Sequence, residues 1–489
     1  MLRYRFRDGV NVRSDQSRSD VVVETPYATR LNSIRQCVSI GHPDDFLKTL
    51  LARLSQQGVE RSHCSGFQAS PGFDSVDPGV DAALDDFYAR GLLITEISGL
   101  KGCAICLNPL RPSLRQRFAP EAFCRIKFSK FVRIDPCRDG LEISTPAASG
   151  SLLLSDQRLF PLLMVLVSPC TEESIRQSLP EDLLIHCADL MSLLLTSGVA
   201  GVCDDHGVAD IDQTAVESGW TEQDLAFHCH TRNHTIDLCR SERSPTVFIN
   251  RQLPAKHQRI VLETVALPGP SRINHSLSFF QVIRDRQTVR VYQEQPITAG
   301  LLSDFLWHSM HIREEILCDP GLSRSYQGLL RPVAGSGALH SIELYLCVHR
   351  CAGLQPGFYH YDSSGHSLGK LSGLSEPCLG MLELAAASTC RAPQAASVSP
   401  GQGQQPDVLV VMAARYARHA ALHHQTGLSY ALILKDVGSI YQQLYLVATA
   451  LGLAPCGLSF GSSELFEQAS GLPSDLECSV GEFMIGNPA

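Results

Sequence analysis

Two arginines and a threonine on alternate positions give this chain its clearest chemical hint. They stand in Arg284-Asp285-Arg286-Gln287-Thr288-Val289-Arg290-Val291-Tyr292. Alternate side chains of an extended backbone point the same way, so Arg286, Thr288 and Arg290 can converge on one phosphate. Guanidinium groups and hydroxyls are the donors a phosphate needs. The same pattern also suits a solvated basic strand. A second segment, Pro332-Val333-Ala334-Gly335-Ser336-Gly337-Ala338-Leu339, is a run of small residues that lets backbone approach a flat ligand. An ordinary glycine-rich turn has the same composition. A third, Gly452-Leu453-Ala454-Pro455-Cys456-Gly457-Leu458-Ser459-Phe460-Gly461, follows a helical stretch and can bring backbone N–H groups to the reducible nitrogen of a ring. Together these are the requirements of a flavin mononucleotide (FMN) site.

The other candidates are plainer. Cys103-Ala104-Ile105-Cys106 is an isolated pair with no second pair at zinc spacing. His228-Cys229-His230, with His234 and Cys239, has the look of a metal cluster, but a structural reading is preferred. Cys347 and Cys351 look like packing residues. No metal site is expected.

The elements that would position the flavin segments begin near Ser276. Phe279–Arg286 reads as a helix. Gln295-Pro296-Ile297-Thr298 caps the next, Ala299–Met310. His340–His349 and Phe358–Asp362 read as strands, the second after a Pro356-Gly357 turn. Ser375–Ala387 is helical, with Ser375 as N-cap and Pro377 in the first turn. Arg391–Gln405 is a Pro/Gly/Gln loop. Asp407–Ala413 is a buried strand, Ser439–Leu451 a helix and Ser479–Ile485 a final strand. The class is α+β.

The N-terminal half reads as one unit repeated. The first copy has strands at Leu2–Arg7, Val10–Arg13 and Val21–Glu24, helices at Asp44–Gln56 and Asp81–Gly91, and a strand at Leu92–Ile97. The second has a hairpin over Phe131–Ser144, a strand at Ser151–Leu154, helices at Gln157–Val167, Thr171–Ser178 and Asp182–Ser197, and a strand at Val199–Val202. Hairpin, helices and closing strand form a winged-helix pattern. The expected layout is two tandem winged-helix-like domains at 1–115 and 116–215, a linker region at 216–275, and the flavin domain at 276–489. A DNA-reading helix should be basic, yet Asp182–Ser197 contains no Lys or Arg. A peptide adding to a sheet edge is the better partner.

Bulk properties agree. Hydrophobic residues make up 44% and charged residues 19%, a globular composition. A net charge of -9 disfavours general binding to nucleic acid or anionic membranes. No apolar run is long enough to span a bilayer, and the charged N-terminus lacks a signal core. A cytoplasmic setting is expected, with the 18 cysteines mostly reduced and buried.

The flavin segments, in this order and spacing, resemble the SagB-type dehydrogenase family of nitroreductase-like flavoproteins, the azoline oxidases of ribosomal peptide biosynthesis. Arg331–Glu343, Gly357–Asp362, Ser429–Gly457 and Ser479–Gly486 carry the resemblance. Asp224–His228 also resembles a family segment ahead of the oxidase where no metal is implied. The resemblance implies a homodimer with FMN at the subunit interface. It places Arg286, Thr288 and Arg290 on the phosphate, Gly335, Ser336, Gly337 and Ala338 at the ring, and Gly457 and Leu458 behind it. Gln443 falls where the family often has Asn. The implied chemistry removes a proton from a thiazoline or oxazoline carbon and passes a hydride from its neighbour to flavin, which oxygen then reoxidises. Paired winged-helix-like domains, a precursor peptide and a cyclodehydratase partner are implied as well.

This chain departs from the family at one telling point. Where the family tends to carry a Lys-Tyr pair, it reads Leu422-His423-His424-Gln425-Thr426-Gly427. Histidine can act as a base near neutral pH, so His423 or His424 is the expected catalytic residue. The C-terminus, Gly486-Asn487-Pro488-Ala489, also lacks the basic residue that some nitroreductases place on the phosphate. Two other functions stay open: an NAD(P)H-dependent nitro- or quinone reductase, and a peptide-binding scaffold without oxidase activity.

Overall fold

The computed structural model describes residues 2–6, 11–15, 20–28, 35–39, 93–99, 102–109, 125–232 (except 147 and 149), 259–271, 277–318, 326–387, 404–421 and 427–489, with a few isolated positions besides. The chain divides into two compact units, Met1–Pro245 and Thr246–Ala489.

In the first unit, strands β1 (Leu2–Phe6), β5 (Val59–Glu60), β6 (Leu93–Gly99), β7 (Gly102–Pro109), β9 (Arg133–Cys137), β10 (Gly140–Ser144) and β11 (Gly150–Leu154) form one sheet. Its order is β5-β1-β6-β7-β11-β10-β9. β2 (Asn11–Asp15), β3 (Asp20–Ala28) and β4 (Arg35–Ser39) form a second sheet, and β8 (Ile126–Phe128) pairs with β12 (Ala200–Val202). The β7–β11 ladder runs from Pro109↔Gly150 to Ile105↔Leu154, so strands read as two copies lie in one sheet. One apolar core holds Phe6, Leu93 and Leu107 together with Leu152, Leu162 and Leu190. Helices α1 (Phe160–Val165), α2 (Glu172–Ser178) and α3 (Cys187–Ser197) contribute to it, and Gly198 ends α3 in the left-handed region at φ 77°. α4 (Gln213–Glu217) and α5 (Glu222–Arg232) follow. His228, Cys229 and His230 lie on α5, and no metal-binding group occurs among the described residues. His234 and Cys239 lie outside them.

The second unit is built on a seven-stranded antiparallel sheet, in the order β13-β18-β17-β16-β19-β21-β20. The strands are β13 (Glu263–Ala266), β16 (Ile342–Val348), β17 (Gly357–Asp362), β18 (Ser367–Ser372), β19 (Val408–Ala414), β20 (Ala454–Leu458) and β21 (Cys478–Gly486). β14 (Glu314–Cys318) and β15 (Tyr326–Leu330) form a separate hairpin. β13, inside the segment read as a linker, is an edge strand of this sheet.

Both faces of the sheet are covered, which is why β16 and β19 are buried at every residue. Leu344, Leu346, Val410, Met412 and Phe483 face α7 (Ala299–Met310) and α10 (Leu428–Ala450). Tyr345, Cys347, Leu409, Val411 and Met484 face α8 (Glu376–Ala387) and share their cluster with Phe466 of α11 (Ser463–Ser470). α6 (Phe279–Asp285) and α9 (Tyr416–Ala420) complete the unit. α10 starts eleven residues before the helix expected from Ser439. Gly438 disfavours helix by about 1 kcal/mol, but Ile433, Val437, Ile440 and Leu444 are buried at helical spacing and outweigh it. No helix among the described residues is long and apolar enough to cross a membrane.

Candidate active site

Residues 286–291 leave α6 as an irregular segment beside β20, where Val289 N–H donates to the Pro455 carbonyl at 2.9 Å. Two members of the expected phosphate set meet at Tyr445 of α10. The Thr288 hydroxyl lies 3.0 Å from the Tyr445 hydroxyl, and the Arg286 guanidinium lies 5.4 Å from the Tyr445 ring centroid. The same hydroxyl accepts the Gly457 N–H at 2.8 Å. That N–H, one of those expected to reach a ring nitrogen, is thus engaged within the chain. Tyr441, one turn earlier, donates to the Leu458 carbonyl at 2.9 Å. A Cβ on residue 457 would sit 3.1 Å from Tyr441 and 3.3 Å from Tyr445, so glycine permits this approach.

Arg290, Gly457 and Leu458 come together in a cleft of about 390 Å³, lined also by Cys456, Ser459 and Phe460. Burial pushes the Cys456 thiol up, against the opposing pull of Arg290. Glu482, paired with Leu458 across the β20–β21 ladder, is raised by its own burial.

The loop from Gly335 to Ala338 is held differently. Gly337 has φ 60°, Ala338 φ 53° and His340 φ 43°. Left-handed backbone at non-glycine residues costs energy and persists only when the surroundings enforce it. Here the Ser336 N–H and hydroxyl donate to one oxygen of Asp436, at 2.8 and 2.7 Å. Tyr326 donates to the Gly337 carbonyl at 2.7 Å, and Arg418 Nε to the Leu339 carbonyl at 2.6 Å. The other Asp436 oxygen lies 3.5 Å from His419 Nε2. Burial opposes ionisation of Asp436, but the His419 and Ser336 contacts hold its carboxyl below the usual value. The left-handed His340 also explains why the strand begins only at Ile342.

Behind this loop lies a buried charged network. Glu343 sits 3.1 Å from Arg415 and 3.0 Å from His360. Arg331 is 5% exposed and reaches the Ser363 hydroxyl at 3.0 Å. Burial, then the nearby Arg331 charge, push the His340 imidazole down to about 4.

The two groups lie on opposite sides of α10. Successive helical residues rotate by about 100°, so Asp436 and Gln443 share one stripe, while Tyr441 and Tyr445 occupy another about 140–180° away from Asp436. Gln443 accordingly bonds to α7, through the His308 carbonyl at 3.0 Å. Asp436 and Tyr445 are also separated by about 13 Å along the axis. Arg286, Thr288 and Gly457 thus gather around Tyr445, and Arg290 and Leu458 line the adjoining cleft. Gly335–Ala338 and Gln443 belong to the other side. His423 and His424 lie outside the described residues. Sequence reasoning missed Tyr441, Tyr445, Asp436, Arg331 and Arg418. Only the tyrosines left a readable signal, as two aromatic hydroxyls one helical turn apart.

An antiparallel sheet with helices on both faces, and a cation-bearing segment along one edge, defines the class of domain. Residues 283–486 match the nitroreductase family, so the C-terminal unit contains a nitroreductase-family domain. A nitroreductase-like protein of Methanocaldococcus jannaschii is 27% identical over 187 residues, covering 38% of this chain and 81% of that protein. Among solved structures, a nitroreductase-like protein of Ralstonia eutropha has 16% identity and a TM-score of 0.33, covering 49% of this chain and 98% of that one. A chain of the E. coli microcin synthetase McbBCD complex, with truncated pro-MccB17 bound, has 18% identity and a TM-score of 0.33, covering 48% and 79%.

Proposed function

We propose that the C-terminal domain is an FMN-dependent oxidoreductase that converts thiazoline or oxazoline rings in a modified peptide, or in a carrier-bound intermediate, to thiazole or oxazole. The observation that carries the cofactor is the set of donors around Tyr445 and the adjoining cleft. Two guanidiniums and a hydroxyl suit a phosphate, and Gly457 keeps the adjoining backbone free of a side chain. These residues fit the group. Bound FMN would supply the two-electron acceptor.

The chain's own residues would do the rest. Arg286 and Arg290 neutralise the phosphate, and Thr288, held by Tyr445, donates to it. The small-residue loop Gly335–Ala338 meets the ring. Because that loop lies across α10 from the phosphate donors, a second copy of the chain would supply it, making a homodimer. His423 or His424 takes the proton from the substrate ring. The N-terminal unit, as winged-helix-like domains, holds the precursor peptide, and a cyclodehydratase supplies the ring. The azoline substrate rests on the sequence resemblance to the SagB-type family.

A second reading, an NAD(P)H-dependent nitro- or quinone reductase, is favoured by the likeness to the archaeal nitroreductase-like protein. Purified protein should be yellow and release FMN on denaturation. A colourless protein that FMN cannot reconstitute overturns both readings. Loss of two hydrogens from an azoline peptide supports the oxidase, whereas bleaching by NADPH without peptide supports the reductase. If His423→Ala and His424→Ala both leave turnover intact, the base lies elsewhere.

A further inference from the structure

Tyr292 closes the cation-bearing segment, two residues after Arg290. Its side chain is 3% exposed and belongs to the apolar cluster on the α8 face of the sheet, with Cys456 and Met484. A Cβ on residue 486 would sit 2.5 Å from Tyr292 Cδ1, so glycine there lets the ring lie against β21. Among the described residues, the Tyr292 hydroxyl has no hydrogen-bond partner. A buried hydroxyl left unpaired is costly, and the polar groups close by do not relieve it. Gln404 is turned to the Tyr292 backbone, accepting its N–H at 2.8 Å and donating to its carbonyl. Asp407 is taken by Arg350 at 2.6 Å and by the Ile297 N–H at 2.9 Å.

The neighbours of the hydroxyl lead to the cleft. The ionisable side chains that act on it are Cys456, Asp407, Arg290 and Tyr445. Cys456 and Arg290 line the cleft of about 390 Å³, and the Arg290 guanidinium is in hydrogen-bonding contact with the Cys456 thiol. Burial, then the Cys456 and Asp407 charges, push the Tyr292 hydroxyl well above the usual tyrosine value, against the pull of Arg290. The hydroxyl therefore keeps its proton at neutral pH and has it to donate. A fixed cation beside an unpaired donor suits an oxyanion, because each forms a charge-assisted hydrogen bond with it.

We propose that Tyr292 and Arg290 form a two-donor seat for an oxyanion in the cleft, with the Tyr292 hydroxyl held unpaired for a ligand oxygen. With FMN as the ligand, which rests on the function proposed above, that oxygen belongs to the phosphate and not to the ring. Tyr292 is then a cofactor-binding residue that lies outside the alternating set of Arg286, Thr288 and Arg290.

The test compares FMN with riboflavin, the same ring without a phosphate, on the full chain. Affinities are read by fluorescence quenching, and the stability of the flavin-free protein by thermal melting. Wild-type protein should bind FMN at least about tenfold more tightly than riboflavin. Tyr292→Phe should weaken FMN about tenfold and riboflavin less than about threefold. The same substitution removes a hydroxyl without a partner, so the flavin-free protein should melt at the wild-type temperature or up to about 4 °C above it. A purely structural hydroxyl gives the reverse pattern, a lower melting temperature with both flavins weakened alike. Equal wild-type affinities for the two flavins, an unchanged FMN affinity in Tyr292→Phe, equal weakening of both flavins, or a lower melting temperature overturns the seat and leaves the FMN reading standing. Wild-type protein that binds neither flavin overturns the FMN reading. The seat is then decided with inorganic phosphate alone. Phosphate should raise the melting temperature of wild-type protein more than that of Tyr292→Phe, and equal shifts overturn it.

Discussion

The two sides of α10 handle charge in opposite ways. On the Tyr445 side, Arg286 and Arg290 are half-buried beside hydroxyls, an aromatic ring and a cleft. On the Asp436 side, Arg331, Arg415, Arg418, Glu343 and Asp436 are all buried. The first arrangement leaves donors available to a ligand. The second fixes a strained loop. One helix therefore separates a surface that can grip from a platform whose shape is already paid for.

Substitutions should break this contrast in a graded way. The largest effect is expected from Glu343→Gln, which leaves Arg415 without its buried carboxylate. Such losses cost about 3–5 kcal/mol, and urea unfolding of the C-terminal unit should show a midpoint shifted far below wild type. An unchanged midpoint would mean that the buried network is not under electrostatic tension.

Acid comes next. His340 has its folded-state value depressed from 6.5 to about 4. A depressed histidine gives stability that is present above the unfolded value and lost as pH falls from 6.5 toward 4. The loss should be on the order of 2 kcal/mol. His340→Gln should flatten that part of the stability profile, whatever it costs at neutral pH. Asp436 is also depressed, so its contribution fades only below the ordinary carboxylate range.

On the other side of the helix, Arg286→Ala and Arg290→Ala should each weaken FMN binding about tenfold or more. Their stability should change by less than about 0.5 kcal/mol. Equilibrium titration and thermal melts test the two halves of that statement separately. The smallest effect is expected from Gly337→Ala. At φ 60° an alanine costs about 1 kcal/mol, a modest drop in melting temperature. A larger loss would show the loop to be less tolerant than its backbone angle alone requires.

Local patterns made much of the second unit legible. α7 spans Ala299–Met310 as its apolar spacing indicates, with Thr298 accepting the Leu301 N–H. The hairpin β14–β15 was not readable, because its strands bury little: Glu314, Glu315 and Leu317 are exposed. At the site, Arg286, Thr288 and Arg290 were visible as a motif because all three lie within five residues. Asp436 was not, because it meets Ser336 only through folding, 100 residues along the chain. Buried arginines leave no periodic signature, and their partners are set by sheet register rather than by spacing.

The segment ahead of α6 has a consequence for anyone who would cut or transplant this domain. The family match begins at residue 283. Yet β13 closes one edge of the sheet, and Arg259 holds Glu477 at 2.6 Å and Tyr345 at 2.6 Å. A fragment begun at the recognisable boundary would bare the flank of β18 and strand a fully buried carboxylate. The portable piece is therefore longer than the one its sequence advertises, and a graft should start before Arg259.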